Sequence, residues 1–125
     1  MKQKSIEATR DSVCMGDDCN APNREYLDYD PQQFLSEWLL KTVTRYIPTM
    51  HNAIWVVYKK RTIIGYLICD EKGHYSVEIP HNNMPMRSLN IKDIYCRYFH
   101  EMYFKDKYSE YSTLLDKVKH HLTKT

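Results

Sequence analysis

The chain has 125 residues and a formal net charge of +2 at pH 7, which fits one domain over residues 1–125 and gives no case for a general polyanion binder. Its hydrophobic content of 42% favours a folded protein over a disordered one. No run approaches the roughly 18 apolar residues of a bilayer-spanning helix, and residues 1–7 lack the apolar core of a secretory signal. We therefore expect a cytoplasmic protein with reduced cysteines and no membrane partner.

The first third of the chain predicts a hairpin and then a helix. Weak alternation over 3–9 predicts a short strand, 24–29 can return as a second strand, and the Asp-, Gly- and Asn-rich residues 11–23 form the loop between them. Asp30 as N-cap and Pro31 at the first helical position begin a helix that ends at about Ile47. The apolar face of this helix comprises Phe34, Leu35, Trp38, Leu39, Thr42 and Tyr46.

Three strands and two helices are predicted in the remainder. The strands cover 53–58, 62–69 and 75–79, and the apolar run 62–69 is typical of a central strand covered on both faces. Gly73 supplies a positive φ to the turn before the third of them. Asn90 caps a helix over 91–104, and the same apolar period predicts a last helix over 108–122.

The resulting order of elements, β-β-α-β-β-β-α-α, indicates the α+β class. We expect an antiparallel sheet of about five strands with the helices packed on it. No internal repeat and no linker interrupts the chain, so the same frame should extend from the first predicted strand to the last helix.

The 11–22 loop contains two cysteines whose spacing leaves their state open. Four residues separate Cys14 from Cys19, whereas redox and zinc motifs of the Cys-x-x-Cys type have two. Free thiols, a disulfide and metal ligation are all compatible with this spacing, and a reducing compartment favours free thiols. Cys14 as a nucleophile would need a base brought to it by folding, from among His51, His74, His81 and His100.

The same loop contains an acidic cluster formed by Asp11, Asp17 and Asp18. These carboxylates could bind a divalent cation, or they could shape the loop by accepting hydrogen bonds from nearby backbone N–H groups. The EF-hand pattern is absent, which favours the second interpretation. With Ser12 and Cys14, the three aspartates are our predicted binding residues in this loop, and no catalytic residue, metal or cofactor is assigned.

Aromatic residues crowd the C-terminal half, where the chain is also basic. Residues 31–125 carry a net charge of +5, against −3 for residues 1–30. Tyrosines are frequent in protein interfaces, so Tyr103 and Tyr108 are predicted binding residues. Interleaved basic residues also suit single-stranded nucleic acid, which the weak overall charge and the lack of an RNP-like motif make unlikely. Cys96 and His100, one turn apart on the predicted helix, could form a reactive or metal-binding pair, but a solvated helix face is favoured.

The segment Arg10-Asp-Ser-Val-Cys-Met-Gly-Asp-Asp18, with Ala21-Pro22 after it and Trp55 on a later strand, is similar to a group of small bacterial proteins of unknown function. Their chains begin with a strand, an Arg-Asp-Ser-Val loop, a strand and a helix. The resemblance implies a stand-alone bacterial domain, and it implies no activity.

The sequence favours a non-enzymatic protein-binding module, for example a small inhibitor or an immunity-type protein that neutralises a bacterial toxin. The reason is that the chain combines a compact frame and surplus tyrosine with no cofactor fingerprint, phosphate loop or standard triad spacing. The alternative is a metal- or thiol-dependent enzyme that uses the 11–19 loop. A third hypothesis is a weak nucleic-acid binder.

Overall fold

The computed structural model describes residues 4–12 and 23–124. Helix α1 covers residues 35–46 and contains a π-helical segment, Leu39–Val43, and helix α2 is Leu114–Thr123. Two short 3₁₀ turns are Met86–Ser88 and Glu101–Phe104. The strands are β1 (Lys4–Arg10), β2 (Arg24–Tyr29), β3 (Ala53–Lys59), β4 (Thr62–Cys69), β5 (Tyr75–Glu78) and β6 (Asp93–His100).

Within the described ranges, the strands form one curled six-stranded sheet in the order β2-β1-β6-β3-β4-β5. Strands β1 and β6 are parallel, and the other neighbours are antiparallel. The predicted α+β class is confirmed, whereas the predicted five-strand antiparallel sheet is wrong in the number and order of its strands.

The largest error concerns residues 91–104, which were predicted to form a helix. Strand β6 lies between β1 and β3, and its burial alternates: Ile94 and Cys96 are buried, whereas Asp93 and Tyr95 are exposed. Asn90 adopts a left-handed φ of 51°, so it is not the extended N-cap of a helix. The segment is rich in aromatic residues, which suit a pleated surface, and pairing with two neighbouring strands outweighs its helical spacing.

Helix α1 begins at Leu35, four residues later than predicted. The Asp30 carboxylate accepts a hydrogen bond from the Gln32 backbone N–H at 2.9 Å, which closes a turn instead of capping a helix. Phe34 pairs with Pro85 as an isolated bridge and is 47% exposed, so it does not belong to the buried face. That face consists of Leu35, Trp38, Leu39, Val43 and Ile47.

The spacing of these buried residues explains the π-helical segment. Leu35, Leu39, Val43 and Ile47 recur every four residues, a longer period than the 3.6 residues of an α-helix. A π turn contains more residues than an α turn, so the side chain that returns to the buried face lies one position later in the chain. Val43 is therefore buried in place of the predicted Thr42. Below it, Leu39 approaches Gly65 so closely that a Cβ at position 65 would lie 2.5 Å from the Leu39 Cδ1.

The sheet has a core on each face, and strands β3 and β4 contribute to both. The α1 face contains Trp38, Trp55, Val57 and Leu67, and the α2 face contains Ile54, Val56, Phe99 and Val118. The prediction that 62–69 is a central strand covered on both sides is therefore confirmed. Among the helices described here, none is long and apolar enough to span a membrane.

Helix α2 also begins later than predicted. Tyr108 has a left-handed φ of 55°, which an α-helix does not admit, and the Thr113 hydroxyl accepts a hydrogen bond from the Asp116 backbone N–H at 3.0 Å. The helix therefore starts at Leu114. Its buried side still contains the predicted Leu114, Leu115, Val118 and Leu122.

Candidate functional site

The base of the 11–22 loop is built by backbone contacts of Asp11. Its N–H donates to the Cys96 carbonyl at 3.0 Å, and its carboxylate accepts from the Tyr98 N–H at 2.9 Å. The Ser12 hydroxyl accepts from the Asn23 side-chain amide at 3.4 Å. Of the predicted binding residues, Asp11 therefore fixes the start of the loop to β6, and Ser12 joins the start of the loop to Asn23 at its end. The other predicted binding residues of the loop, Cys14, Asp17 and Asp18, lie outside the described residues, as does Cys19.

A buried arginine and a tyrosine lie beside the described ends of this loop. Arg10 is 5% exposed, donates to the Asp11 carbonyl at 3.0 Å and lies 5.9 Å from the centre of the Tyr46 ring. The Tyr46 hydroxyl lies 2.7 Å from the Asn23 carbonyl and 3.2 Å from the Ala8 carbonyl. Burial raises the pKa of Tyr46 to about 12, so it stays a neutral donor. This arrangement joins the start and end of the loop through α1.

The described cysteines have the properties of structural thiols. Cys69 and Cys96 are buried, and burial raises the pKa of Cys96 to about 12, which disfavours the reactive thiolate. His100 is four residues further along β6, about 13 Å away in an extended strand, and its Nδ1 accepts from the Met102 N–H at 3.1 Å. Both the possible Cys96–His100 pair and the favoured solvated helix face depended on a helix, and neither applies in strand β6, where Cys96 is buried.

Within residues 4–12 and 23–124, no group of three or more His, Cys, Asp or Glu side chains is placed to hold a metal ion. The carboxylate of Asp11, the member of the acidic cluster that the structure describes, instead accepts a hydrogen bond from a backbone N–H.

Tyr103 and Tyr108 lie close together on the α2 face of the sheet, beside the C-terminal part of α2. They join two histidines of α2 and three basic side chains that come from β6, the 104–108 connection and the end of α2. We call this set the aromatic–basic surface: Arg97, Tyr103, Lys107, Tyr108, His120, His121 and Lys124.

Hydrogen bonds between tyrosine hydroxyls and imidazoles fix the centre of this surface. The Tyr108 hydroxyl lies 3.1 Å from His121 Nδ1, and the Tyr103 hydroxyl lies 3.5 Å from His121 Nε2. Tyr111 contacts His120 Nδ1 in the same way at 3.1 Å. Both imidazoles are thus held by phenols that precede α2 in the chain.

Aromatic packing supports these contacts from below. The Tyr103 ring meets Phe104 edge to face with centroids 4.8 Å apart, and it meets His121 at 5.4 Å. Phe99 and Phe104, both buried, form the floor. On this floor, Tyr103 remains 48% exposed and its neighbour Met102 remains 60% exposed. The surface therefore presents large side chains to solvent on a rigid base.

Basic groups lie over the aromatic faces. The Lys107 ammonium is 4.3 Å from the centre of the Tyr103 ring, and the Lys124 ammonium is 4.9 Å from that of Tyr108. The Arg97 guanidinium lies 4.8 Å over Phe99. Burial, followed by the charges of Arg97, Lys107, Lys124 and His120, lowers the pKa of His121. The surface is thus already positive while His121 is neutral.

The lowered pKa of His121 predicts a loss of stability in acid. The folded state disfavours the protonated imidazole. The contribution of His121 to the free energy of unfolding is therefore fully present above the unfolded-state pKa of 6.5, and it is lost as the pH falls through the lower pKa of the folded state. We expect the free energy of unfolding to decrease between about pH 7 and about pH 5, and His121→Gln to reduce this decrease. Urea unfolding at several pH values measures it. His81→Gln, at an exposed position, is the control, and equal pH slopes for wild type and His121→Gln would contradict the assignment.

Sequence reasoning found two members of this surface and missed the others. It identified Tyr103 and Tyr108 from tyrosine density, but it treated residues 91–104 as a helix and therefore could not place Arg97 over Phe99. His120 and His121 are adjacent in the sequence, and only their position on α2 shows that they contact the hydroxyls of different tyrosines. The interleaving of Arg97 and Lys107 with the tyrosines and the basic excess of the C-terminal half were the sequence signals that pointed to the basic groups.

No family model, curated protein or solved structure matches this chain. The similarity of the 10–18 segment to small bacterial proteins therefore stays a resemblance, and function has to be inferred from the surfaces described above.

Proposed function

We propose that this protein is a non-enzymatic binding module whose aromatic–basic surface docks against an acidic face of a partner protein. The observation that carries this proposal is the exposed Tyr103, which rests on a buried aromatic floor and has the Lys107 ammonium over its ring. A rigid aromatic side chain with few rotatable bonds contributes large contact area at a low entropic cost, and Tyr and Arg are the residues enriched in interface hot spots.

The charge of the surface argues for the chemistry of the partner. Arg97, Lys107 and Lys124 lie over the rings of Phe99, Tyr103 and Tyr108, and each of these rings contacts His121. Complementary negative potential on the partner would accelerate encounter and fix its orientation. An acidic protein face is therefore the expected counterpart, and a toxin-neutralising role would be one version of this function.

The ring contacts favour a protein over a nucleic acid. Stacking of bases needs an open aromatic face, but Lys107 covers a face of Tyr103 and Lys124 covers a face of Tyr108. A His120 ring also lies edge to face against Tyr108, with centroids 4.7 Å apart. The exposed parts of the tyrosines are therefore suited to side-chain packing more than to base stacking.

Affinity capture from the source cell, followed by binding of the purified partner, tests this function. Wild type, Tyr103→Ala and Lys107→Glu are immobilised, and Lys72→Glu serves as a control with the same charge change on an exposed turn at a distance from the surface. We expect an acidic protein to be captured by wild type and by Lys72→Glu at about 1:1. Loss of Tyr103 or reversal of Lys107 should weaken its binding about tenfold, or about 1.4 kcal/mol each.

Two outcomes would overturn the proposal. In the first, the purified partner binds all four proteins with equal affinity, which would place the interface elsewhere. In the second, nuclease treatment abolishes capture and the affinity for oligonucleotides falls steeply with salt, which would identify a nucleic-acid binder.

A further inference from the structure

A second candidate site lies on the α1 face, on the other side of the sheet from the aromatic–basic surface. It is an open cavity of about 320 Å³ between the start of α1, strand β4 and the 79–91 segment. Its walls are aliphatic, and Leu35, Ile64 and Ile91 among them are buried. Ligand cavities typically begin at this size and have this mostly apolar character.

Cationic and polar groups surround the opening of this cavity. Lys60, His81 and Asn82 are exposed lining residues, whereas no carboxylate of the described chain lines it. A neighbouring cleft shares Lys59 and Lys60 and adds Lys92 and one carboxylate, Asp93, so three cations and one anion line it. The opening is therefore positively charged next to an apolar interior.

Lys59 and Lys60 differ in the contacts that their ammonium groups make. The Lys59 ammonium donates to the Leu89 carbonyl at 2.8 Å, which ties the 86–91 segment to β3. The Lys60 ammonium has no hydrogen bond or ion pair with any residue of the described ranges. Lys60 can thus supply a positive charge to a ligand without breaking an existing contact.

The backbone fixes the position of Lys60. Lys59 pairs with Thr62, so Lys60 and Arg61 form a two-residue hairpin turn. Lys60 has a left-handed φ of 56°, a conformation that glycine and asparagine adopt more easily than lysine. An asparagine at position 60 would therefore keep the turn while it removes the charge.

We propose that this cavity binds a small amphipathic monoanion, namely a medium-chain carboxylate. Its tail lies against Ile64, Ile79 and Ile91, and its carboxylate contacts the Lys60 ammonium at the opening. At about 30 Å³ per water-sized group, the cavity has room for about ten such groups, the size of a ten-carbon chain. An apolar interior disfavours a fully polar anion such as inorganic phosphate, because its remaining oxygens would be desolvated without partners.

Titration with decanoate, followed by isoleucine methyl resonances in NMR spectra, tests this inference. We expect saturable shifts of the Ile64, Ile79 and Ile91 methyl groups. Decanol, which has the same tail without the charge, should bind wild type about tenfold more weakly than decanoate does. Decanoate should likewise bind Lys60→Asn about tenfold more weakly than it binds wild type. Lys72→Gln, which removes an exposed charge elsewhere, should bind decanoate as wild type does.

The inference is wrong if decanoate leaves these methyl resonances unchanged. The inference is also wrong if decanol binds as tightly as decanoate, or if Lys60→Asn binds decanoate as tightly as Lys72→Gln does. In either case the charge at the opening would have no role. The result is independent of the proposed protein-binding function: Tyr103→Ala, on the other face, should bind decanoate normally.

Discussion

A lysine at position 96 is expected to unfold the protein, whereas a lysine at the adjacent position 95 should leave it folded. Cys96 is 0% exposed at the centre of β6, where it pairs with Val57 on one side and Arg10 on the other. An ammonium there would be desolvated beside the buried guanidinium of Arg10, and the longer side chain would overpack the core. We expect a loss of at least about 4 kcal/mol, a large part of a typical domain's stability.

Tyr95 provides the matched control. It is 40% exposed, so a lysine can extend into solvent, and its substitution should cost about 1 kcal/mol or less. Urea unfolding followed by circular dichroism measures both variants. A helix over 91–104 would give the reverse order, because Tyr95 would then lie on its apolar face and Cys96 on its solvated face. A stable Cys96→Lys together with an unfolded Tyr95→Lys would therefore refute the position of β6.

Removal of the Trp38 side chain should have a comparably large effect. Trp38 is 0% exposed, and its indole N–H donates to the Asp28 carbonyl at 3.0 Å, which joins α1 to the residue preceding the end of β2. Trp38→Ala would leave a cavity between helix and sheet and leave that carbonyl without its donor. We expect a loss of about 3–5 kcal/mol in the free energy of unfolding.

A pair of conservative substitutions separates the hydrogen bond from the packing. Trp38→Phe and Trp55→Phe remove the same atoms from two fully buried positions, but the Trp55 N–H has no hydrogen-bond partner in the structure as described. Trp38→Phe should therefore cost about 1 kcal/mol more than Trp55→Phe in denaturant titrations. Equal losses would show that the bond to Asp28 contributes nothing measurable.

The candidate site was predictable only in part. Tyrosine density identified Tyr103 and Tyr108, because both belong to the same short stretch of sequence. His121 could not be assigned to them, since its ring contacts depend on α2 lying beside β6. Arg97 could not be assigned either, since its contact with Phe99 requires residues 93–100 to be a strand instead of the predicted helix. The cavity at Lys60 was not predicted either, because its walls come from four separated segments.

The sequence by itself determined the elements whose signals are local. Gly73 adopts the expected positive φ of 87°, strands β3 and β4 follow their β-branched runs, and α2 packs the leucines and valine of its period against the sheet. Tertiary structure alone decided the conformation of 93–100, where helical and strand spacing were both present. Insertion between β1 and β3 gives that segment hydrogen-bond partners on both edges and buries Cys96, and these long-range contacts have no counterpart in a window of neighbouring residues.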